Sequence, residues 1–578
     1  MKNTDVAQQF EKLADLLDIQ GENHFRVRAY RNAARTISGM EGSVAELVER
    51  GDDLSKYQGI GKAIAEKISE IVRRGTFSKL EEVQQQIPEG LVDLLRIPEL
   101  GPRRVKELHE ELGVTGTEEL GAVLEQGKVR ELAGFGEKLE NSLREQLRRM
   151  SEQSGETRLL LPEAEEIAER IVRYLQDHVK MQHITVAGSY RRRKETVGDL
   201  DVLVVTAQES AAGDTPIMDI FTSHDEVREV VMKGETRSSV VLSSGVQIDL
   251  RRLDQESYGS ALQYFTGSKE HNIALRRVAQ EQGFKVSEYG IFRDEEQVAG
   301  ATEESMYERL GLVWIPPELR EGHGEIEAAR EDRLPLLIQE KDLKGDLHSH
   351  TNATDGSFSL EEMAQTAHER GYEYLAVTDH SRSLSVARGL DEDRLARQIE
   401  EIGQLNEQWD DFRLLSSIEV DILDDGRLDL SDEILSRLDL VVCSIHSGLD
   451  KPEDKQTERI IRAMDNPNCN IIGHPTGRML GSREAYPLNV EQLLRAAAER
   501  GCYFEINAQP QRLDLRDEHV RAAREHGVKV AIGSDAHAPA HLSFMRYGVY
   551  QARRGGLEAA HVLNTYAWPE LKKLLHRN

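Results

Sequence analysis

The last third of the chain places nine potential metal ligands in separate short motifs. His348 and His350 lie in DLHSHT, with Asp355 just beyond. His380 ends LAVTDH, Glu419 sits in LLSSIEVD, His446 ends LVVCSIH, His474 lies in NIIGHP, and Asp535 and His537 close VAIGSDAH. Imidazole and carboxylate without thiolate suit Zn, Mn or Fe, and so many donors imply more than one ion. A lone histidine is usually structural, but most of these residues follow an apolar run of strand length. A βα barrel offers catalytic groups in that way, at the C-terminal ends of its strands.

A second constellation stands in HITVAGSYRRRKETVGDLDVLVV. ITVA reads as a strand, GSY as a turn and DLDVLVV as a second strand, on which alternation puts Asp199 and Asp201 on one face. VQIDLRRL supplies a third strand carrying Asp249. Three aspartates on neighbouring strands can clamp two Mg²⁺ ions for phosphoryl transfer. The Gly188–Ser189 turn can meet a triphosphate with backbone N–H and hydroxyl, and Arg192 can neutralise it.

Helices and hairpins must present these groups to a substrate. Three glycine turns, YQGIGKAIAEKI, RIPELGPRRVKEL and LAGFGEKLENSL, each sit between expected helices in the first 140 residues or so. Gly59, Gly61 and Gly101 allow tight turns, after which a helix N-terminus offers N–H groups to a nucleic-acid phosphate without reading sequence. NHFRVRAYRNAA gathers Phe25, Arg26, Arg28, Tyr30 and Arg31, a mixture suited to a single-stranded or gapped end; a solvated basic helix face is the competing reading.

At 578 residues the chain is too long for one core. Its hydrophobic fraction of 39% and charged fraction of 31% are those of an ordinary soluble protein. No apolar run is long enough to span a membrane, and the N-terminus reads as an amphipathic helix. Cys443, Cys469 and Cys502 lie in or beside strand-like segments, which predicts buried reduced thiols and a cytoplasmic protein. The net charge of −29 argues at first sight against nucleic acid, but the first 150 residues are nearly neutral and local arginine patches can still bind phosphate. The acidic surface fits plain solubility better than a saline cytoplasm, which would also explain it.

DLHSHT, TDH, GHP and SDAH resemble the PHP (polymerase and histidinol phosphatase) phosphoesterases over about residues 341–578. The resemblance implies a distorted (β/α)7 barrel with three metals, Mn²⁺ or Zn²⁺. His348, His350, Glu419 and Asp535 would hold the first, Glu419 with His446 and His474 the second, and Asp355, His380 and His537 the third. GSYRR, GDLD, QIDL and YFTGSKEHN resemble DNA polymerase family X, the family of DNA polymerase beta, and the domain order is similar to that of its bacterial members. This resemblance implies that Asp199, Asp201 and Asp249 are the catalytic metal triad, with Gly198 just ahead of the pair. Gly188, Ser189 and Arg192 would hold the nucleotide phosphates, Tyr264, Phe265 and Gly267 the sugar, and Asn272 the base edge. It implies Lys67 as a Schiff-base lyase nucleophile and Phe25, Arg26 and Tyr30 as DNA contacts. Three positions depart from the family pattern: Arg193 replaces a frequent glycine, Lys269 an acidic residue and His24 a proline.

The expected architecture is multidomain α/β. It has a helical lyase-like domain (1–85), helix-hairpin-helix fingers (86–150), a nucleotidyltransferase palm (155–255) with a mixed sheet, a thumb (256–320), a polar linker (321–340) and the PHP barrel (341–578). The first functional reading is a monomeric repair polymerase adding dNTPs in short gaps of primed DNA, with a barrel 3′→5′ exonuclease that also acts at abasic sites. Two alternatives remain open at this point: a small-molecule phosphatase tethered to a DNA-end-binding module, and a non-catalytic scaffold.

Overall fold

The computed structural model describes residues 3–576 except 39, 41–42, 58, 85–86, 89, 96, 98–99, 133, 154–157 and 208–215. The break expected between fingers and palm adjoins 154–157, outside the described residues.

The first 150 residues are helical. Helix α1 (Asn3–Gln20) buries Val6, Phe10, Leu13 and Leu17, a helical stripe, and pairs with α2 (His24–Ser38). Helix α3 (Lys62–Arg74) buries Ile64, Ile68 and Ile71 and ends at Gly75, whose φ of 79° is the left-handed conformation glycine adopts without strain. Helix α4 (Pro102–Leu112) starts with proline after Gly101, and α5 (Gly136–Gln153) follows the third glycine turn. One core runs from Val6 to Leu143, so the segments 1–85 and 86–150 share a single hydrophobic interior.

The next unit is a mixed five-stranded sheet: β1 (Met181–Val186), β2 (Asp199–Thr206), β3 (Val227–Lys233), β4 (Arg237–Leu242) and β5 (Gln247–Arg252), in the order β1-β2-β5-β4-β3. Only β2 and β5 are parallel. Helix α6 (Leu161–His178) covers the sheet with Leu161, Ile171 and Leu175, and the four-residue α7 (Gly188–Arg191) fills the turn after β1. Then come α8 (Tyr258–Thr266), α9 (Lys269–Glu281), a meander of β6 (Lys285–Ser287), β7 (Gly290–Arg293) and β8 (Glu296–Ala299), and α10 (Glu303–Arg309). Arg191, from the turn after β1, reaches across to Glu303 at 2.7 Å, and Arg320 holds the other side of that carboxylate at 2.7 Å.

Seven parallel strands in chain order form the C-terminal unit: β9 (Gly345–Asp346), β10 (Tyr374–Val377), β11 (Arg413–Asp421), β12 (Leu440–Ser444), β13 (Ile471–Ile472), β14 (Tyr503–Asn507) and β15 (Val530–Gly533). A bridge between Ser349 and Ala536 links the two ends, so the barrel is nearly closed. Helices α11 (Met545–Arg554) and α12 (Trp568–Leu575) complete it. All three cysteines are buried within it and none forms a disulfide.

The segment expected as a polar linker is packed. Arg320, Glu325, Ile326, Ala329 and Ile338 are buried, and His271 bridges Glu325 (2.7 Å) and Tyr307 (2.9 Å) beneath it. Glu321 and Glu325 within it pair with Arg192 and His271, which composition alone does not distinguish from solvated acids. The sheet unit and the barrel are joined over a broad face. Glu165 accepts from Arg193 (3.2 Å), Arg546 (2.9 Å) and the Tyr547 hydroxyl (2.9 Å), and Glu195 accepts from Arg478 (2.6 Å) and Gln551 (2.9 Å). Arg193, with φ 56°, takes the backbone conformation that favours glycine. Its side chain lies over the Tyr550 ring at 4.6 Å and the Tyr190 ring of the GSY turn at 5.4 Å, where it glues barrel to sheet.

Candidate active sites

The register of β2 on β5 sets Asp201 opposite Asp249 and Asp199 opposite Gln247. Residues two apart share a face, so the three carboxylates converge. Burial pushes the Asp201 carboxyl up to about 7, with Asp199 and Asp249 adding to the shift. Burial pulls Asp249 the same way, but hydrogen bonds from Ser239, Gln247 (3.1 Å) and Arg237 (2.8 Å) hold it below the usual range. The cluster therefore has more negative charge than its own cations answer, which fits a site that takes up divalent ions.

Gly188 has φ 66°, and a Cβ there would meet the Asp201 carboxylate at 3.2 Å, so the turn needs glycine twice over. Ser189 and Arg192 follow on α7 and just after it, and Gly198 leads into β2. Arg192 is not loose: its Nε donates to Glu321 (3.0 Å) and its Nη1 to the Thr266 carbonyl. Gly267 packs against the same guanidinium. Tyr264 and Phe265 stand edge to face at 5.1 Å, with Arg276 over the first and Arg251 over the second. The Asn272 amide is engaged at both ends, donating to the Tyr264 carbonyl (2.8 Å) and accepting from Gln263 (2.8 Å). In this arrangement it fixes the Tyr264 backbone instead of reaching outward. Lys269 is exposed at the start of α9.

In the barrel all nine donors converge at the C-terminal ends of the strands. Glu419 is the hub: His380 Nδ1 lies 2.8 Å from it, His474 Nε2 2.9 Å, His446 Nε2 3.5 Å, His348 Nε2 3.6 Å and His350 Nε2 3.8 Å. His348, His350 and Asp535 form one potential cage, His380, Glu419 and His446 another, and Asp355, His380 and His537 a third that His350 also enters. Several buried donor atoms of the cluster have no hydrogen bond, among them His350 Nδ1, Asp355 Oδ1 and His474 Nδ1. Such atoms cost free energy unless a ligand answers them, so the donor set fits divalent metal. Burial, with His537 and His380 close by, holds His350 down to about 4 and keeps it a neutral donor. Burial alone would raise Glu419, but His446, His380 and His348 hold it well below the usual carboxylate range.

The comparisons with known proteins follow this geometry. Residues 158–249 match the DNA polymerase beta palm family, 261–321 the DNA polymerase beta thumb, and 346–509 the PHP domain. Residues 1–77 match a helix-hairpin-helix domain and 91–149 a SAM-like helix-hairpin-helix tandem. Over 582 aligned positions, all of both chains, the sequence is 38% identical to the DNA polymerase/3'-5' exonuclease PolX of Bacillus subtilis. The chain belongs to the PolX family. Its barrel alone is also 31% identical to a probable phosphatase of Thermoanaerobacter sp., covering 38% of this chain and 89% of that one. It is 32% identical to one of Caldanaerobacter subterraneus, covering 33% and 75%.

The nine donors of this PolX chain rest on an outer layer that sequence reasoning missed. Glu505 accepts from His348 Nδ1 at 2.6 Å and from the His474 backbone N–H at 2.5 Å, and Asp421 holds His446 Nδ1 at 2.9 Å. Asp346 takes N–H groups of His348 (3.1 Å) and Ser534 (3.0 Å). The signal was present: Asp421 is two residues beyond Glu419 on the same strand face, and Glu505 follows the apolar pair of CYFEIN. Such partners fix the tautomer and the aim of a ligand.

The N-terminal positions divide. Phe25 is 69% exposed and Arg26 is exposed beside Glu22 at 3.0 Å, whereas Tyr30 stacks on Phe10 and is half-buried. His24 lies against Phe25 at 4.0 Å. Gly59 and Gly61 precede α3, and Gly101 caps α4. Lys67 Nζ donates to the Ala63 carbonyl of its own helix at 3.1 Å. A cleft of about 260 Å³ separates α2 from the barrel rim, lined by Arg28, Asn32 and Arg35 on one side and Asp355 and Arg388 on the other. No described helix is long and apolar enough to cross a membrane.

Proposed function

We propose that this PolX chain fills short gaps in primed DNA from its palm and trims 3′ ends in its barrel as a 3′→5′ exonuclease. The reading rests on one observation: an aspartate triad in β2–β5 register and a nine-donor barrel cluster stand on one chain as two separate ligand sets. Asp199, Asp201 and Asp249 would hold two Mg²⁺ ions, and the barrel donors up to three Mn²⁺ or Zn²⁺ ions. Such ions supply Lewis acidity for an oxygen nucleophile and for charge on the departing group.

The chain's own residues do the rest. The Gly188–Ser189 turn and Arg192 receive the β- and γ-phosphates. Tyr264, Phe265 and Gly267 line the sugar, and Asn272 holds the Tyr264 backbone in place for that contact. The outer carboxylates Glu505 and Asp421 keep the ligating nitrogens of His348 and His446 aimed inward. Gly59, Gly61 and Gly101 offer backbone N–H groups to DNA phosphates, beside exposed Phe25 and Arg26. Lys67 acts as the lyase nucleophile in removing a 5′-deoxyribose phosphate. Borohydride trapping on an incised abasic site that survives Lys67→Ala undiminished removes Lys67 from that role.

Incubation with a gapped primer-template separates the two activities. With dNTPs and Mg²⁺ the primer lengthens to the gap end; without dNTPs and with Mn²⁺ it shortens from its 3′ end. The probable phosphatases similar to the barrel keep the small-molecule reading in view, and offering the same protein a small phosphate monoester decides it. Faster turnover of the monoester than of single-stranded DNA overturns the nuclease reading.

A further inference from the structure

Arg554, at the end of barrel helix α11, is 2% exposed and carries a charge at the joint between barrel and palm. Its Nη1 donates to two oxygens of the polymerase unit: the backbone carbonyl of Arg192 (2.9 Å) and Glu321 Oε1 (2.9 Å). Its Nη2 is held by Asp517 of the barrel. The same Glu321 oxygen accepts Arg192 Nε at 3.0 Å, and Lys194 lies 3.6 Å from the other oxygen. Arg192 Nη1 goes to the Thr266 carbonyl beside Gly267, so among the described residues Nη2 and the second N–H of Nη1 are left for a ligand.

A pair that merely fastened two domains would need neither contact to Arg192. Here one barrel residue holds the backbone of Arg192 and also shares the carboxylate that aims its side chain. The charges come in matched sets: Arg554 and Arg192 against Glu321 and Asp517. Without Arg554, Glu321 would be answered by Arg192 and Lys194 alone. The carboxylate would then draw the Arg192 guanidinium inward, and an arriving triphosphate would compete with it.

We propose that Arg554 is a positioning residue for nucleotide addition, through which the barrel orders the triphosphate-binding arginine of the palm. The inference rests on the reading that Arg192 meets the triphosphate. Extension kinetics on a gapped primer-template, with exonuclease on single-stranded DNA as the companion measurement, test it in the full chain. Arg554→Gln should raise the dNTP KM about tenfold, the scale of one charged hydrogen bond. It should leave kcat, primed-DNA affinity and exonuclease near the parent values. Arg554→Lys keeps the buried charge but cannot bridge carbonyl and carboxylates together, and should raise KM by a smaller factor. Arg192→Gln combined with Arg554→Gln should be no worse than Arg192→Gln alone, because the second residue acts through the first.

An unchanged KM in both Arg554 variants, with KM raised in Arg192→Gln, overturns the inference and leaves the Arg192 reading standing. An unchanged KM in Arg192→Gln brings down both. Effects that multiply in the double variant, or exonuclease that falls in step with extension, reduce Arg554 to a fastener and overturn the proposal.

Discussion

The palm and the barrel both gather acid for metal, but they do so in opposite ways. The palm site is three carboxylates on two adjacent inner strands of the sheet, with Arg237 against Asp249 and Asp201 pushed up to about 7. The barrel site is buried, rich in imidazole, and close to balanced within itself around Glu419. An outer layer of Glu505, Asp421 and Asp346 fixes its donors, whereas in the palm Ser239, Gln247 and Arg237 support Asp249. The difference is that carboxylates brace the barrel donors from behind, whereas the palm shares its acids with arginines at the surface of a sheet.

The largest test of that contrast is loss of a whole palm set. Asp199→Ala with Asp201→Ala should lower extension by about a thousandfold or more, the scale of losing preorganised charge stabilisation, while exonuclease stays near the parent rate. Equal loss of both activities in the folded variant breaks the separation. Next comes the hub of the barrel. Glu419→Ala should cut exonuclease by at least about a hundredfold and lower the bound transition metal, with Mg²⁺-dependent extension still measurable. The separation is falsified if this variant, shown to be folded, digests single-stranded DNA at the parent rate.

Glu505→Gln sharpens the comparison, because it touches no substrate. Loss of the carboxylate behind His348 should weaken metal retention about ten- to a hundredfold, read by metal content after dialysis. Tyr264→Ala should raise ribonucleotide incorporation relative to dNTP by about tenfold, since a pocket rejects one added hydroxyl only modestly. An unchanged ratio moves the sugar gate elsewhere.

The smallest effect concerns stability. Burial would raise Glu303, but Arg320 and Arg191 hold it down to about 2 from an ordinary 4.5. A depressed carboxylate contributes stability that is complete above the unfolded value and is lost as pH falls toward 2. The scale is about 3 kcal/mol. Glu303→Gln should remove that acid sensitivity between pH 4.5 and 2 in thermal melts, and a parent-like acid slope would exclude Glu303 as its source.

Much of this was legible in the chain. The strand-end motifs fix which residues can be ligands, and the period of two puts Asp199 with Asp201. What was not legible came from contacts distant in sequence. Asn272 reads as a free amide until Gln263 and Tyr264 are seen to use both ends. Arg193 reads only as a replaced glycine, yet from a left-handed backbone its side chain spans Tyr190 of the GSY turn and Tyr550 of the barrel. The stretch 321–340 reads as a solvated linker because composition reports polarity and not pairing, and its glutamates are partners of buried His271 and Arg192.

The palm core contains two barrel side chains, Leu513 and Tyr547, within the same apolar cluster as Val202 and Phe221. An interior shared in this way cannot melt on one side alone without exposing the other. Palm and barrel, though each carries its own ligand set, should therefore unfold in a single calorimetric transition. The helical N-terminal region, with its own core, should contribute a second and separate peak.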